Sequence, residues 1–467
     1  MLFSSLIFIY AFLPVCLILY YLIKNLTYRN YILTVLSIVF YAAGEPKWVI
    51  LLVASTAIDY ALGLLIAKHG ARTQASRWLV CISMIINISA LFYFKYADFA
   101  ITNLNYIPLF SIPTLKVIMP VGISFFTFQK ITYIVDAYKG EIPPQKSFMK
   151  LLLYVSLFPQ LIAGPILRYS DICAQLDHRV NTTEGFASGV TRFMMGMGKK
   201  VLLANYAGAV ADSILGKNMK FENGSVAWLG ILMYTFQIYF DFSGYSDMAI
   251  GLGKMFGFEY KENFNYPYTA VSITDFWRRW HISLSSFFRD YVYIPLGGNR
   301  RFQIRNIIVV WLLTGLWHGA SWNFILWGAY YAVILTCEKL FLLGLLQKLP
   351  KALGWLYSML AVMVGWAVFY FTDIINLGRT IKCMIGINGQ PFFTDRLPFL
   401  LSENALLIAI CIVASTPIIT KISKLIPEGK AVIAKASLTA VFNCVVLGVA
   451  TMSMIGSGFN PFLYFRF

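Results

Sequence analysis

Three features of the sequence predict an all-α, polytopic integral membrane protein. Hydrophobic residues make up 59% of the chain and charged ones only 13%, against roughly 25% charged in an ordinary soluble domain. Apolar runs of roughly 20 residues recur along the whole length, each long enough to cross about 30 Å of hydrocarbon as a helix. These runs do not alternate polar and apolar residues, as the roughly ten-residue strands of a membrane barrel do. Together they predict about eleven transmembrane helices, with re-entrant or interfacial helices between them.

In chain order the candidate spans lie near 2–23, 30–43, 48–67, 78–97 and 115–136. Less clean runs follow near 148–165 and 188–214. Then come 226–250, 304–320, 322–345, 354–371, 404–420 and 432–456. One or two of these are too short or too polar to cross alone. The first run, Leu2 to Ile23, has no basic start and no small-residue cleavage site, so it reads as an uncleaved first span. No long polar stretch interrupts the series and no internal repeat is visible, which predicts a single membrane domain over 1–467.

The formal net charge is +17. On a membrane protein such an excess collects on cytoplasmic loops, and no polar domain carries a basic patch, so nucleic acid is not an expected partner. The first loop holds Lys24 and Arg29, the third Lys68, Arg72 and Arg77, the fifth Lys139, Lys146 and Lys150. The second holds Glu45 and Lys47, and the stretch from Ala100 to Leu115 holds no charge. Odd loops are thus the more basic, which predicts an extracytoplasmic N-terminus. Lys421, Lys424, Lys430 and Lys435 mark another cytoplasmic segment. The seven cysteines show no C-x-x-C pair and no metal-ligand spacing, and read as buried small hydrophobes.

Residues 263–305 break the pattern: NFNYPYTAVSITDFWRRWHISLSSFFRDYVYIPLGGNRRFQIR. The block is too polar to span lipid and too aromatic for a plain loop. Pro295-Leu296-Gly297-Gly298-Asn299 is a turn signal. Ser272 or Thr274 is suited to cap a helix running through Ser283, with Asp275 in its first turn. On such a helix Trp277 and His281 are four apart and share a face. Two readings stay open. One is an amphipathic helix lying in the interface. The other is a re-entrant segment whose charged residues line a water-accessible chamber, since polar backbone at membrane depth needs protein around it.

The chain has four histidines. His69 and His178 fall in polar loops, whereas His281 and His318 fall in membrane-associated sequence. An ionisable residue there marks function by default, the alternative being a structural histidine bonded to a neighbouring carbonyl. Trp311, Gly315, His318 and Trp322 lie at helical spacing on one stripe. Gly315 and Gly319 would leave room for a substrate, with Trp317 and Trp322 as walls that limit water. Asp59, Asp241 and Asp247 are buried carboxylates that need partners, with the arginines of the polar block as candidates for them. Gly244, Gly251, Gly253 and Gly257 suit close helix contact. Arg300, Arg301 and Arg305 are either positive-inside anchors or contacts for the phosphates of a donor.

No Walker A loop, dinucleotide fingerprint, G-x-S-x-G elbow or H-E-x-x-H is present, so nothing supports ATP-driven transport, hydride transfer or zinc hydrolysis. Three classes compete: a membrane acyltransferase, a transporter whose polar block lines a path, and a non-catalytic scaffold. Transporters often show paired repeats, and a scaffold has no use for two intramembrane histidines.

Long motifs resemble the membrane-bound O-acyltransferase family, and more narrowly its alginate O-acetyltransferase branch. They are DFWRRWHISLSSFFRDYVYIPLGGNR at 275–300, WLLTGLWHGASWNFILWG at 311–328 and LFPQLIAGPILRYSDICAQL at 157–176. PVGISFFTFQKITYIVDAYKG at 120–140, DFSGYSDMAIGLGKMFGF at 241–258, the opening MLFSSLIFIYAFLPVCLILYYL and the terminal NPFLYFRF fit the same branch. The D-alanyl-transferring branch, which uses a carrier-protein thioester, shares the WRRWH-like core but usually lacks YIPLGGNR. The chain departs from its relatives at Tyr370, where they often carry an arginine.

The resemblance implies that His318, in TGLWHG, is the catalytic residue and that His281, in WRRWH, is the second functional one. Moving an acyl group from a thioester to a hydroxyl needs a base, and imidazole titrates in the right range. Arg278, Arg279, Asp275, Trp277, Trp317 and Trp322 are the candidate substrate-binding residues, with Arg278, Arg279 or a Trp N–H as oxyanion donors. The family also implies a cytoplasmic thioester donor, acetyl-CoA by expectation, with no bound cofactor. It implies an extracellular glycan acceptor, a secreted or membrane-anchored acetyltransferase partner, and a multi-pass location in the bacterial cytoplasmic membrane.

Overall fold

The computed structural model describes residues 2–161, 164–220, 222–424 and 431–456. The side chains of Lys424, Lys430 and Lys435 and the terminal NPFLYFRF stretch lie outside the described residues. Every regular element among the described residues is a helix.

Among the described residues, five helices are long and apolar enough to cross a membrane: Val49–His69, Gln74–Leu104, Trp322–Leu346, Lys351–Tyr370 and Ala436–Gly456. A sixth span results if the pair Arg396–Glu403 and Ala405–Ala414, bent by 61°, is counted as one. The other runs expected to cross differ for local reasons. Phe8–Leu22 is apolar but short. The run expected from 115 becomes helical only at Ile123, after Pro120 and a left-handed Gly122 (φ 78°). The run near 148 breaks into Phe148–Ser156 and Phe158–Leu161. Gln303–His318 has only 16 residues. Gly224–Met255 has 32 residues, but carries Asp241, Asp247 and Lys254 among its aromatics.

The described chain forms two compact units. The first comprises Met1–Phe193 and Tyr245–Lys261. Its spans Val49–His69 and Gln74–Leu104 pack with Ile123–Lys139 around a buried carboxylate. Asp59 accepts from Ser83 Oγ at 2.5 Å and Asn87 Nδ2 at 2.8 Å, with Lys130 Nζ at 4.0 Å. Asp247 pairs with Arg192 at 2.6 Å. Gly251 and Gly189 face each other so closely that a Cβ on either would lie 2.6–2.7 Å from the other's carbonyl oxygen. That is the close helix contact expected of a small residue.

The second unit comprises Met194–Gly244 and Glu262–Phe467. Its core is aromatic: Tyr239, Phe276, Trp280, Trp327, Tyr331 and Trp366 are all buried. Lys200 Nζ meets Asp241 Oδ1 at 2.6 Å, with both side chains no more than 2% exposed. The polar-block arginines expected as partners for the buried acids are therefore not the ones used. Lys200 and Arg192 take that role, because Gly244 and Gly189 let the 183–204 segment come close to Asp241 and Asp247 within their respective units.

A buried ion pair is strongly destabilised when one partner is removed, since the other charge is left uncompensated. Asp241→Ala is expected to cost about 3–5 kcal/mol, read as a lower melting temperature of the detergent-purified protein. The Asp241→Ala/Lys200→Met double variant should recover part of that loss. A single variant as stable as the parent would show that the pair does not hold this core.

Candidate active site

The polar block folds as two short helices with a break between them. Ser272 caps the first, Ile273–Arg279, by accepting from Asp275 N at 3.0 Å, as its sequence predicts. A second cap comes from a distant residue. Glu338 is 1% exposed, and its carboxylate accepts from Ile273 N at 2.6 Å, Thr274 N at 2.8 Å and Thr274 Oγ1 at 2.6 Å. Tyr357 OH adds a fourth donor at 3.1 Å. The helix start, with its unsatisfied N–H groups and positive dipole end, is thereby neutralised inside the protein.

The expected helix through Ser283 does not form. It stops at Arg279, Trp280 is extended, and His281 is left-handed at φ 45°, ψ 53° before Ile282–Phe288 begins. Trp277 and His281 therefore do not share a helix face. The break is stabilised by Asn263, whose carbonyl accepts from Ile282 N at 3.0 Å, while Asn265 N donates to Arg279 O at 2.9 Å. A non-glycine residue in this conformation costs about 1–3 kcal/mol and persists only where its surroundings over-determine it. The ring is fixed too: His281 Nδ1 lies 3.2 Å from Asn263 Oδ1, and Phe242 meets the ring edge-on at 4.6 Å. Burial pushes the His281 imidazole down to about 3, so it stays neutral at physiological pH. The PLGGN turn forms as expected, with Gly297 at φ 114° and Gly298 at φ 55°.

His318 ends the Gln303–His318 helix, and Gly319 is extended. Trp322 therefore starts the next helix, Trp322–Cys337, rather than extending the stripe, and is 48% exposed. It does not wall the site. Trp327 does, with its ring 5.0 Å from His318, as does Phe369 at 5.1 Å. Gly315 and Gly319 do not leave room for substrate either. A Cβ on Gly315 would collide with the Phe324 carbonyl, and one on Gly319 with the Phe324 ring. These glycines let the two helices close on each other.

A cavity of about 300 Å³ lies in this unit, and both imidazoles line it. Trp277, Trp311, Thr314 and Leu335 form part of its wall, and Arg278, Arg289 and Lys339 are its cations. The three cations are exposed side chains, whereas His281 is 2% exposed, so the charge sits at the outer edge. Trp317 is in ring contact with both histidines, 5.9 Å from His281 and 4.9 Å from His318. Trp277 packs edge-on against Trp311 at 4.6 Å and Tyr331 at 4.9 Å, and its buried indole N–H has no hydrogen-bond partner.

Of the residues singled out in the sequence, His281, His318, Trp277 and Arg278 surround the cavity, with Trp317 between the imidazoles. Arg279 and Asp275 are not on its lining; they pair with each other at 2.9 Å. Arg300, Arg301 and Arg305 are not lining residues, and Arg305 latches the turn by donating to Leu296 O at 2.9 Å. Tyr370, where relatives often carry arginine, donates to Asp212 Oδ1 at 2.8 Å. Arg289 is one of the polar block's charged residues expected to line a chamber, whereas Lys339, Trp327, Glu338 and Asn263 were not legible as site residues. Only their polarity in apolar surroundings marks Glu338 and Lys339, and nothing periodic links Asn263 to His281.

An imidazole in an aromatic cavity can accept a proton, and an exposed cationic edge can hold an anionic group. Among the described residues no three His, Cys, Asp or Glu side chains gather as a metal site would. Removing the Glu338 carboxylate leaves buried N–H groups at the first turn unbonded, at about 1–3 kcal/mol for such a group. Glu338→Ala is therefore expected to speed hydrogen exchange at the Ile273 and Thr274 amides while leaving Val49–His69 unchanged. Unaltered exchange at those two amides would show that the cap does not hold the helix.

The family model for MBOAT, the membrane-bound O-acyltransferase family, matches residues 88–378. The chain is 47% identical over 377 residues to the probable alginate O-acetylase AlgI of Azotobacter vinelandii, covering 79% of this chain and 75% of that protein. It is 45% identical over 392 residues to the probable alginate O-acetylase AlgI of Pseudomonas aeruginosa, covering 82% and 75%. It is 38% identical over 428 residues to the peptidoglycan O-acetyltransferase of Helicobacter pylori, covering 83% and 80%. With the two histidine motifs meeting at one cavity and matches of this extent, the chain belongs to the membrane-bound O-acyltransferase family, in its alginate O-acetylase-like branch, and is an acyltransferase.

Proposed function

We propose that this membrane acyltransferase moves an acetyl group from a cytoplasmic thioester, acetyl-CoA, toward an extracytoplasmic polysaccharide. The immediate acceptor is a glycan hydroxyl or a hydroxyl on a secreted or membrane-anchored acetyltransferase partner. The observation that carries the reading is the shared cavity of His281 and His318, aromatic inside and cationic at its edge. The names of the relatives, alginate O-acetylase and peptidoglycan O-acetyltransferase, favour acetyl as the acyl group and a glycan as its destination.

His318 is the general base. The acceptor oxygen attacks the thioester carbonyl carbon as its proton passes to His318. The new C–O bond forms, the C–S bond breaks, and the proton leaves with the thiolate. Developing negative charge on the carbonyl oxygen needs donors. Arg279 is committed to Asp275, which leaves Arg278 and the Trp277 indole N–H as the candidates on the cavity wall. Arg278, Arg289 and Lys339 suit the phosphates of the donor.

His318→Gln and His318→Ala should both abolish O-acetylation of the cell's polymer at normal protein level. A Gln variant that acetylates near the parental rate would remove His318 as the base. His281→Ala should lower the rate by about 10²–10⁴-fold with the protein still inserted. Parental activity in purified His281→Ala would reduce that residue to a structural part.

The alternation of basic loops supports an external N-terminus and a cytoplasmic 68–77 loop. A single cysteine placed at Arg72 should be labelled from the cytoplasmic face only. External labelling would reverse the orientation.

A further inference from the structure

Asn263 is fully buried and is not part of the cavity lining, yet it touches the ring of His281. Its Oδ1 lies 3.1 Å from the backbone N of Ser283, 2.8 Å from Ser283 Oγ and 3.2 Å from His281 Nδ1. A backbone N–H can only donate, so the Asn263 atom that faces it must be the carbonyl oxygen and not the amide nitrogen. Ser283 Oγ, 3.4 Å from His281 Nδ1, gives its own hydrogen to Asn263 Oδ1 at 2.8 Å, so the 3.2 Å contact between that oxygen and Nδ1 is made by an Nδ1–H. In a neutral imidazole with Nδ1–H, the lone pair is on Nε2.

We infer that Asn263 is a positioning residue for acyl transfer: it fixes His281 as the Nδ1–H tautomer and turns an Nε2 acceptor toward the acyl-transfer cavity. The inference rests on the reading that His281 takes part in that reaction. An Nε2 acceptor takes a hydrogen bond from an O–H or N–H of the acceptor beside the hydroxyl that reacts and so aligns it, while the reacting hydroxyl gives its single hydrogen to His318. The opposite tautomer would present an N–H donor in the same place, which cannot hold that group.

Two further observations support this role. Asn263 also holds the backbone, because its carbonyl accepts from Ile282 N at 3.0 Å, immediately after the left-handed His281. One residue thus sets both the position and the tautomer of the ring. The charged surroundings favour a neutral imidazole. The cavity's charged groups are the cations Arg278, Arg289 and Lys339, with His318 as the other titratable ring. On the helix that presents Phe242 to His281, the adjacent Asp241 is ion-paired with Lys200.

Solid-state nitrogen-15 NMR of the full chain in lipid, labelled at histidine only, reads the tautomer directly. The chain has four histidines, and a His281→Gln spectrum identifies the signal of interest. The expected result is an Nδ1–H signal for His281. In Asn263→Ala that signal should be lost or mixed with the Nε2–H form, and kcat should fall by about tenfold or more with the donor KM little changed, the pattern of a lost transition-state interaction. Asn263→Asp keeps an acceptor at Nδ1 and adds a negative charge. It should preserve the tautomer, raise the imidazole's pKa and move the acid limb of the rate profile to higher pH. This variant decides the matter if the Ala form does not insert. An Nε2–H signal in the parent overturns the inference, as does a tautomer indifferent to Asn263→Ala or an acid limb unmoved in Asn263→Asp. Parental activity in His281→Ala would count against the role of His281 itself, whatever its tautomer.

Discussion

Glu338 and Asn265 hold the two ends of the same seven-residue helix, Ile273–Arg279, from outside it, and Asn263 holds the residues just past its break. Short helices are weak in isolation, because nucleation fixes several residues for few hydrogen bonds. Away from water their end groups must also be satisfied by protein. Glu338 supplies acceptors to the first turn, and the backbone around Asn263 exchanges hydrogen bonds across the last one. With both ends fixed, the direction of Trp277 and Arg278 into the cavity and the position of His281 past the break follow together. The cavity's geometry is thus a property of caps more than of the polar block's own helix propensity.

Fold class was legible because composition and the length of apolar runs are direct consequences of the lipid solvent. The number of crossings was less so. A run of apolar residues does not reveal that Gly122 will turn left-handed, that a π-turn will interrupt Gly198–Ala204, or that 32 residues of Gly224–Met255 carry buried acids. In the site, His281, His318, Trp277 and Arg278 were legible from rarity and from polarity in apolar surroundings. The spacing argument for Trp277 and His281 failed because periodicity assumes an unbroken helix, and the break is imposed by Asn263, from a segment outside that helix. Trp322 failed likewise, since Gly319 ends the helix that its spacing presupposes.

Glycine and buried charge act together in this protein. At Gly315 and Gly319 the missing side chains are filled by Phe324, so the space goes to helix contact and not to substrate. At Gly244 and Gly189 the same close approach serves electrostatics, bringing Lys200 to Asp241 in one unit and Arg192 to Asp247 in the other. Tyr370 shows that a polar contact can survive a change of residue type, since its hydroxyl reaches Asp212 without a positive charge. Buried acids here are matched by whichever neighbour the backbone allows within reach, and sequence distance says little about which one that is.

The cavity separates two kinds of polar group that would interfere if mixed. Arginine and lysine at the edge carry fixed positive charge and only donate hydrogen bonds. On the proposed function, the phosphates of a thioester donor would be held there without any proton moving. A base must instead offer a lone pair, which a nearby cation helps to preserve by disfavouring protonation. Trp277 and Trp311 line the cavity among these groups, with Trp327 packed against both; on the proposed function they limit the water that would hydrolyse a thioester. Histidine is the side chain suited to the dry side of this arrangement: buried, it gives up its charge and keeps its lone pair, as His281 does with its imidazole pushed down to about 3. Carboxylates in that position would need partners of their own, as Asp241, Asp275 and Glu338 have in Lys200, Arg279 and the first turn of the polar helix.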